Sequence, residues 1–309
     1  MSDLDCIIYL SGGLGNQMFQ YALGRRLQLE GGADVRFDLS LYKVKTDRAL
    51  TLAKYRTRVK EISAIDKMTM RLSFGRTLGR IAPLLHPVRK QMLWEIREDT
   101  RKGFDREIID LTGRWYLRGW WHHPEYFENL RPRLLEEFQP AASLTRLDRE
   151  IWSRINDVNA VCLHVRRGDY VSHPVYSKQL KVQSADYYNA CLAEMADRLE
   201  DPHIFVFSDD PAWARENIRG DAPITFMDKN DGSSDYIDLY LMSHCRHFIT
   251  ANSTFSWWAA WLGKNPDKIV IAPPIWGYDG SGPTPGLIPS SWQLGPAEPA
   301  SLAAAGAKR

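Results

Sequence analysis

Short apolar, β-prone runs alternate with helical segments through the second half of the chain. Runs such as AVCLHV (160–165), HIFVFS (203–208) and KIVIAP (268–273) are separated by stretches whose apolar residues follow helical spacing. Strands that alternate with helices in this way form an open parallel sheet. The pattern therefore predicts an α/β domain over this half.

The amino-terminal end repeats the same logic on a smaller scale. CIIYLS is followed by the turn GGLGN, a helical segment and the short strand VRFD, which together form a βαβ unit. A length of 309 residues favours two domains. We expect domains at 1–150 and 151–295, with a helix over 141–157 at the join and an Ala- and Pro-rich tail at 296–309.

Charge and composition exclude some classes of protein. The 40 basic and 38 acidic residues give a net charge of +2, without the basic excess that nucleic-acid binding requires. The chain has four cysteines in no CxxC pair, no run long enough to span a membrane and no leader before CIIYLS. We expect a cytoplasmic protein.

The segment 67–102, with nine Lys or Arg, predicts one or two basic helices that either face solvent or rest on an anionic membrane.

The glycine-rich turn admits two interpretations. Gly13, Gly15 and Asn16 follow a strand and open a helix, where backbone N–H groups can approach an anion. Asp38 ends the next strand, as the ribose-binding acid of a dinucleotide fold does. The third glycine of that fingerprint is missing, because Met18 stands there. The other motifs of the chain make dinucleotide binding still less favoured.

The loop HVRRGDYV (164–171) follows the first strand of the second sheet. Ligands of open α/β sheets bind outside the carboxyl ends of strands. Arg166 and Arg167 present forks of N–H donors that suit a diphosphate. The alternative is a salt-bridge cluster with Asp169, but the apolar strand before the loop and Gly168 after it favour a binding role.

A polar helix start, ANSTFS, follows the strand HFITA. Asn252, Ser253, Thr254 and Ser256 are more than one helix cap needs, so an anion site is favoured over capping alone. The tryptophans that follow are interpreted as core rather than as a sugar platform. Two metal sites are weighed: a metal-dependent transferase built on SDD (208–210) stays open as the less favoured alternative, and a zinc site at the histidines is rejected. SDD (208–210) is better explained as a helix start before Pro211, and the adjacent histidines 122 and 123 point apart and have no third ligand at a recognisable spacing.

Taken in order, four segments resemble the α-1,2-fucosyltransferases of glycosyltransferase family 11. They are GGLGNQMFQYALG, HVRRGDYV, FVFSDDPAW and DLYLMSHCRHFITANSTFSWWAAWL, which span residues 12 to about 262. The resemblance implies a fold of the GT-B type, with two Rossmann-like domains facing across a cleft. It implies an amino-terminal half that binds the acceptor and a carboxyl-terminal half that binds GDP-fucose. It also implies inversion at the fucosyl carbon.

The resemblance also implies roles for individual residues. Arg166 would hold the β-phosphate of GDP, and His164 and Asp238 would lie at the guanosine, although Asp238 could also be a helix-surface aspartate. Asn16 would reach across the cleft toward the donor. The residue patterns and the resemblance together place twelve residues at the donor: Gly13, Gly15, Asn16, His164, Arg166, Arg167, Ser208, Asp238, Asn252, Ser253, Thr254 and Phe255.

The catalytic base is left between two carboxylates, and a third alternative is that the leaving phosphate takes the proton and no strong base is needed. Asp169 lies at the donor loop beside two arginines, where its pKa should be depressed. Glu125 lies in the acceptor-side segment GWWHHPEYF (119–127), where we expect it to be partly desolvated. Related enzymes tend to carry glutamine where His122 stands, which leaves the acceptor open. We expect no cofactor and no metal, since Arg166 can stabilise the leaving diphosphate. The expected partners are GDP-fucose, a galactose-containing oligosaccharide and, through the basic segment, a membrane or lipid-linked glycan.

Overall fold

A computed structural model describes residues 4–44, 49–74, 93–174, 176–227, 235–276 and 281–297. The chain divides into two compact units. Unit 1 comprises Met1–Phe138 and Thr284–Leu287, and unit 2 comprises Gln139–Pro283 and Ile288–Arg309. The division thus falls after Phe138 instead of at residue 150, and the helix predicted at the join lies wholly in unit 2.

Unit 1 is built on a four-stranded parallel sheet in the order β2-β1-β4-β3. A polar turn follows central strand β1 and leads into the long helix α1, as the βαβ pattern predicts. The elements are β1 (Leu4–Tyr9), α1 (Leu14–Leu29), β2 (Asp34–Asp38), α2 (Ser40–Lys43), α3 (Ala64–Phe74), β3 (Trp94–Arg97), β4 (Gly113–Arg118) and α4 (Arg131–Glu137).

Unit 2 is built on a six-stranded parallel sheet in the order β10-β9-β8-β5-β6-β7. Its elements are α5 (Arg146–Asn156), β5 (Asn159–Val165), α6 (Gly168–Ser172), α7 (Tyr176–Gln179), α8 (Ala185–Arg198), β6 (Pro202–Ser208), α9 (Pro211–Asn217), β7 (Ile224–Met227), α10 (Asp235–Met242), β8 (His247–Ile249), α11 (Thr254–Leu262), β9 (Val270–Ala272) and β10 (Gln293–Leu294). Because β5 pairs with both β6 and β8, the loops that follow these three strands lie side by side.

The core of unit 2 packs α8 against strands β5, β6 and β8 through buried aliphatic side chains and the rings of Tyr187 and Tyr188. The tryptophans 257, 258 and 261 of α11 are buried, which confirms their interpretation as core. The four cysteines are also buried and unpaired. These contacts fix α8 and α11 against the sheet, and hence the loops at its carboxyl edge.

Two differences from the sequence prediction concern unit 1. The strand predicted over 115–121 ends at Arg118, because the backbone turns away at Gly119 and Trp121 adopts a φ of 58°. One basic helix is found at Ala64–Phe74, but the end of the basic segment forms strand β3, and residues 75–92 lie outside the described residues. Within the described ranges, no helix has the length and apolar character needed to cross a membrane.

The predicted α/β class is confirmed. Each unit carries a parallel sheet with flanking helices, so the chain has the two Rossmann-like domains that make up the GT-B type.

Candidate functional site

The loop after β5 holds Arg166 between two carboxylates. The Nη2 atom of its guanidinium lies 2.7 Å from Oδ1 of Asp169, and Nη1 lies 3.2 Å from Oδ2 of Asp209. The planar group also lies over the Tyr170 ring, 5.6 Å from its centroid. These contacts fix the direction of a fork whose remaining N–H groups can meet an anionic ligand.

Arg167 is held separately at the same edge. Its backbone N–H donates to Oδ1 of Asp209 at 2.8 Å, and its Nε lies 3.3 Å from Oδ2 of Asp210. The guanidinium stacks on the Trp213 ring at 4.1 Å. Asp209 therefore contacts both arginine residues, and Gly168 leaves room for it, since a Cβ there would lie 2.8 Å from its Oδ2.

His164 lies at the end of β5 beneath this loop. Its side chain is buried, and its ring lies 5.4 Å from that of Phe255 at the start of α11. Burial, assisted by the charge of Arg166, lowers the pKa of His164 to about 3, so the imidazole is neutral. Its Nδ1 atom has no hydrogen-bond partner among the described residues. A buried nitrogen of this kind is suited to a polar ligand group.

The polar start of α11 lies beside the arginine loop. The Ser253 hydroxyl accepts the N–H of Phe255 at 3.3 Å and caps the helix, which confirms that one of the polar residues serves as a cap. Asn252 donates through Nδ2 to the carbonyls of Lys181 (2.7 Å) and Trp276 (3.0 Å). The Tyr170 hydroxyl donates to the Asn252 carbonyl at 2.8 Å and ties α6 to this turn. Thr254 forms the first residue of the helix.

Two aspartates lie near the start of α10. Asp238 is buried, with 6% of its surface exposed, so its interpretation as a helix-surface residue is wrong. The pKa of Asp235 is raised by burial, while the Tyr236 N–H and the positive charge of Arg166 act in the opposite direction. The positive charge of Arg166 therefore acts on the start of α10.

The acidic turn after β6 is used within the protein. Asp210 accepts the N–H of Trp213 at 3.1 Å with Pro211 in the first turn, which confirms the predicted helix start. The buried Ser208 hydroxyl accepts the Asp210 N–H at 3.0 Å. The carboxylates of Asp209 and Asp210 face the two arginines. No group of three or more potential metal ligands occurs among the residues that the structure describes.

The glycine-rich loop of unit 1 is held by neutral hydrogen bonds. Gln17 donates to the carbonyls of Gly12 (3.0 Å) and Ala49 (2.9 Å) and accepts the N–H of Leu52. Gln20 accepts the N–H of Ser11 at 2.9 Å. Gly13 caps α1 through its extended backbone, and Gly15 lies buried in the first turn.

Asp38, the acid behind the dinucleotide interpretation, is buried and already used. Its carboxylate accepts the Tyr116 hydroxyl at 2.8 Å and the Ser40 N–H at 2.9 Å. These bonds tie β2 to β4 and to α2. The arrangement therefore favours a structural role for Asp38 over ribose binding.

The histidines at 122 and 123 point to different surroundings, as predicted. Nε2 of His122 lies 3.1 Å from Oδ1 of Asn16, and its ring packs on Phe19 at 4.8 Å. His123 packs against Phe104 and Tyr126. The structure thus brings Asn16 of the glycine-rich loop into contact with the acceptor-side segment.

Glu125 lies elsewhere in unit 1. Its side chain is exposed, so the expected partial desolvation is wrong. It lines a groove of about 320 Å³ together with Arg26, Phe104, Arg106, Ile109, Glu128 and Asn129. Neither Asn16 nor His122 is among the described residues that line this groove with Glu125.

Sequence reasoning missed the residues that hold the two loops. The sequence indicates Asp209 only as a metal ligand or a helix-start residue, and Gln17 and Gln20 only as part of a helix. Nothing local in the sequence singles out Glu98, yet it accepts two backbone N–H groups of the acceptor-side segment. The signal for the glutamines is their spacing of three on a helix that follows a glycine turn.

Comparisons with known proteins agree with the geometry. The family model described as glycosyl transferase family 11 matches residues 94–280. The Escherichia coli O-antigen biosynthesis glycosyltransferase WbnK is 30% identical, over 86% of this chain and 93% of that protein. An Escherichia coli alpha-1,2-colitosyltransferase is 30% identical, over 86% and 90%. The mouse galactoside alpha-(1,2)-fucosyltransferase 2 is 34% identical, over 84% and 69%.

A crystal structure of fucosyltransferase NodZ from Bradyrhizobium is 17% identical and aligns with a TM-score of 0.49, over 88% of this chain and 95% of that one. The family model covers more than half of the 309 residues and includes the arginine loop, the acidic turn and the polar start of α11. The protein is therefore a glycosyltransferase, and the chain belongs to glycosyltransferase family 11.

Proposed function

We propose that the protein transfers L-fucose from GDP-β-L-fucose to the 2-hydroxyl of a β-galactoside, with inversion at the fucosyl carbon. The observation that carries the proposal is the pair of arginines at the carboxyl end of β5, held in place by Asp209 beside the polar start of α11. The mouse relative, named a galactoside alpha-(1,2)-fucosyltransferase, supports the choice of donor sugar, acceptor and linkage.

In the proposed reaction the acceptor oxygen forms a bond to C1 of fucose while the bond from C1 to the β-phosphate oxygen breaks. The leaving GDP gains negative charge on the β-phosphate. Arg166, held by Asp169 and Asp209, is proposed to donate to that phosphate, and Arg167 to support it. Because these donors are fixed in advance, they stabilise the transition state without reorganisation.

The nucleotide is proposed to bind through His164, Asp238 and the turn 252–255 of unit 2. A buried carboxylate can accept both the N1–H and the 2-amino group of guanine, which distinguishes guanine from adenine and uracil. Neutral His164 offers Nδ1 to the nucleoside, and Phe255 packs beside its ring. Ser208, Asn252, Ser253 and Thr254 supply the polar surroundings of the diphosphate.

The proton of the acceptor hydroxyl must be accepted by a base, for which Asp169 and Glu125 stay the candidates. Asp169 is engaged with Arg166 at 2.7 Å, which favours anchoring of the loop. Glu125 is exposed and free of that constraint. The pH–rate profiles of Asp169→Asn and Glu125→Gln decide between them, since the base variant loses the acidic limb of kcat while still binding GDP.

The transfer is proposed to need no divalent metal, because Arg166 and Arg167 supply the positive charge at the diphosphate. Turnover should be unchanged in EDTA. Loss of turnover that manganese restores would contradict this part of the proposal.

The protein is proposed to work in the cytoplasm, with α3 able to touch an anionic membrane or a lipid-linked acceptor. Ile65 and Met68 are exposed on this helix, and Lys67 and Arg71 are exposed beside them. Flotation with anionic vesicles at low and high salt tests the contact, and absence of flotation at low salt would leave α3 as a solvated face.

A second donor is favoured by one finding, the relative named an alpha-1,2-colitosyltransferase. The deciding experiment offers GDP-fucose and GDP-colitose with a panel of β-galactosides and determines product linkage by NMR. The proposal predicts an α-1,2-fucosylated galactoside. A product only with GDP-colitose would move the proposal to that donor, and nucleotide binding without any product would indicate a sugar-nucleotide-binding protein.

A further inference from the structure

The turn after β4 presents an aromatic and a polar group together. Trp120 is half-buried and stacks nearly parallel to His122, with ring centroids 6.0 Å apart and an interplanar angle of 18°. His122 in turn contacts the Asn16 side chain at 3.1 Å. Asn16 and His122 are also half-buried, so this part of unit 1 keeps an indole ring and two planar polar groups at the surface.

The turn and the glycine-rich loop are fitted to each other. Gly12 has a φ of 78°, and a Cβ there would lie 2.9 Å from the Trp120 ring and 2.7 Å from the amide nitrogen of Asn16. Gln20 donates to the Gly119 carbonyl at 2.9 Å. A side chain larger than hydrogen at position 12 would therefore displace Trp120 or Asn16.

Glu98 holds the turn from behind. Its Oε2 atom accepts the N–H of Trp120 at 2.5 Å and the N–H of Trp121 at 2.9 Å. Gly119 permits this approach, since a Cβ there would lie 2.4 Å from the Cβ of Glu98. Burial raises the pKa of Glu98, and the backbone N–H groups, including that of His122, act in the opposite direction.

Trp121 shows that the turn is held under strain. Its φ of 58° is unusual for a bulky residue, and its buried ring packs edge-on against Tyr126 at 6.0 Å. Such a conformation is unfavourable and persists only where surrounding contacts enforce it. Burial of Trp121 and the bonds to Glu98 are those contacts, and their effect is to turn Trp120 toward the Asn16–His122 pair.

We propose that Trp120 is the stacking platform for the acceptor galactose, and that Glu98 is the positioning residue that builds it. The axial 4-hydroxyl of galactose leaves an apolar face of C–H groups that packs on an aromatic ring. Asn16 and the neutral imidazole of His122 offer hydrogen bonds to the sugar hydroxyls. This inference rests on the proposed function, and it specifies the residues that recognise the acceptor.

The platform is tested with Trp120→Ala and Trp120→Phe. We expect Trp120→Ala to raise the acceptor KM about tenfold or more, and Trp120→Phe to raise it less, while the affinity for GDP stays within twofold of wild type. Trp94→Ala is the matched control, because Trp94 is a 50% exposed tryptophan on β3. An acceptor KM for Trp120→Ala within twofold of wild type would overturn the platform.

Glu98 is tested with Glu98→Gln and Glu98→Ala. Both backbone bonds end on one oxygen, so the amide oxygen of glutamine can replace it. We expect Glu98→Gln to keep most activity and Glu98→Ala to raise the acceptor KM without changing GDP affinity. Loss of kcat in Glu98→Gln with an unchanged acceptor KM would instead make Glu98 a catalytic base and overturn the positioning role. Thermal unfolding of both variants shows whether they fold.

Failure of this inference can be told from failure of the proposed function. Saturation-transfer NMR with methyl β-galactoside measures acceptor binding without turnover. If wild-type protein forms no fucosylated product but binds the galactoside, and Trp120→Ala loses that binding while Trp94→Ala keeps it, the platform stands and the proposed reaction fails. Equal signals from the wild type and Trp120→Ala would overturn the platform whatever the reaction is.

Discussion

The loops that follow the first strands of the two sheets occupy the same topological position but are built from different chemistry. In unit 1 the loop after β1 is held by the amides of Gln17 and Gln20 and meets Asn16, Trp120 and His122. In unit 2 the loop after β5 is held by ion pairs that join Arg166 and Arg167 to Asp169, Asp209 and Asp210.

We expect the difference to correspond to two kinds of ligand. Neutral amides, an imidazole and an indole suit a polyol, whose hydroxyls need hydrogen bonds but no charge compensation. Preorganised guanidinium groups suit a diphosphate, whose negative charge they offset. One strand–loop–helix design thus supports a neutral site in one unit and a charged one in the other.

Removal of Arg166 should have the largest effect, because it takes away a main positive charge of the loop after β5. Arg166→Ala should lower kcat by about 10²–10³, because a fixed donor to the developing charge is lost. Arg166→Lys should also be impaired, since a point charge does not replace a fork. Steady-state kinetics measure both, with exposed Arg149→Ala as control. A kcat for Arg166→Ala within threefold of wild type would contradict the assignment.

A substitution at Asp238 tests the proposed nucleotide contacts of unit 2 further. Asp238→Asn keeps the size of this buried side chain but removes the charge and one acceptor of the guanine contacts. We expect the KM for GDP-fucose to rise roughly 10- to 100-fold with a smaller effect on kcat. Calorimetric titration with GDP checks the affinity directly. GDP affinity equal to that of wild type would show that Asp238 does not contact guanine.

Gly12→Ala tests the neutral loop after β1 in unit 1. Its φ of 78° and the short distances to Trp120 and Asn16 make a methyl group unfavourable, so the variant should lose more than about 1 kcal/mol of unfolding free energy. The acceptor KM should rise roughly tenfold while GDP affinity stays unchanged. Urea unfolding and two-substrate kinetics measure these effects. Gly113→Ala is the control, because φ there is 87° and, apart from its chain neighbours, no atom of the described residues lies within 4 Å of its Cβ position.

A separate effect, on stability rather than on turnover, concerns pH and His164. Burial lowers its folded-state pKa to about 3, whereas an unfolded chain restores a value near 6.5. Below pH 6.5 the unfolded state binds a proton that the folded state does not. Stability from this group is therefore complete above pH 6.5 and falls by up to about 1.4 kcal/mol per pH unit as the pH decreases toward 3.

His164→Gln should show a shallower decline in the urea midpoint between pH 7.5 and pH 5 than wild type does. The half-exposed His173 supplies the control variant, His173→Gln, which removes a histidine that is not buried. Identical slopes for His164→Gln and wild type would mean that folding does not lower the pKa of this imidazole.

The sequence predicted those features that depend on neighbours along the chain. The strand before Arg166, the cap at Ser253 and the helix start at Asp210 are all local signals, and the structure contains each of them. Contacts between distant segments could not be predicted in this way. Asp209 accepts the Arg167 N–H, although the two residues are 42 positions apart in the sequence, because β5 pairs with β6.

The same limit applies to unit 1. Glu98 accepts the Trp121 N–H, although the two residues are 23 positions apart in the sequence, because β3 pairs with β4. The strand pattern of WYLRGWW continues to residue 121, and nothing local indicates that the backbone turns at Gly119. The exposure of Glu125 is not predicted for a similar reason, since its neighbours Tyr126 and Phe127 are buried while its own side chain is exposed.

The division between a charged donor loop and a neutral acceptor loop is tested most directly by calorimetric titration of GDP into Arg166→Ala and Trp120→Ala side by side with wild type. The account predicts that Arg166→Ala loses most of the GDP affinity and that Trp120→Ala binds GDP within twofold of wild type. Equal loss in both variants, or retained affinity in Arg166→Ala, would contradict the assignment of the nucleotide to the arginine loop of unit 2.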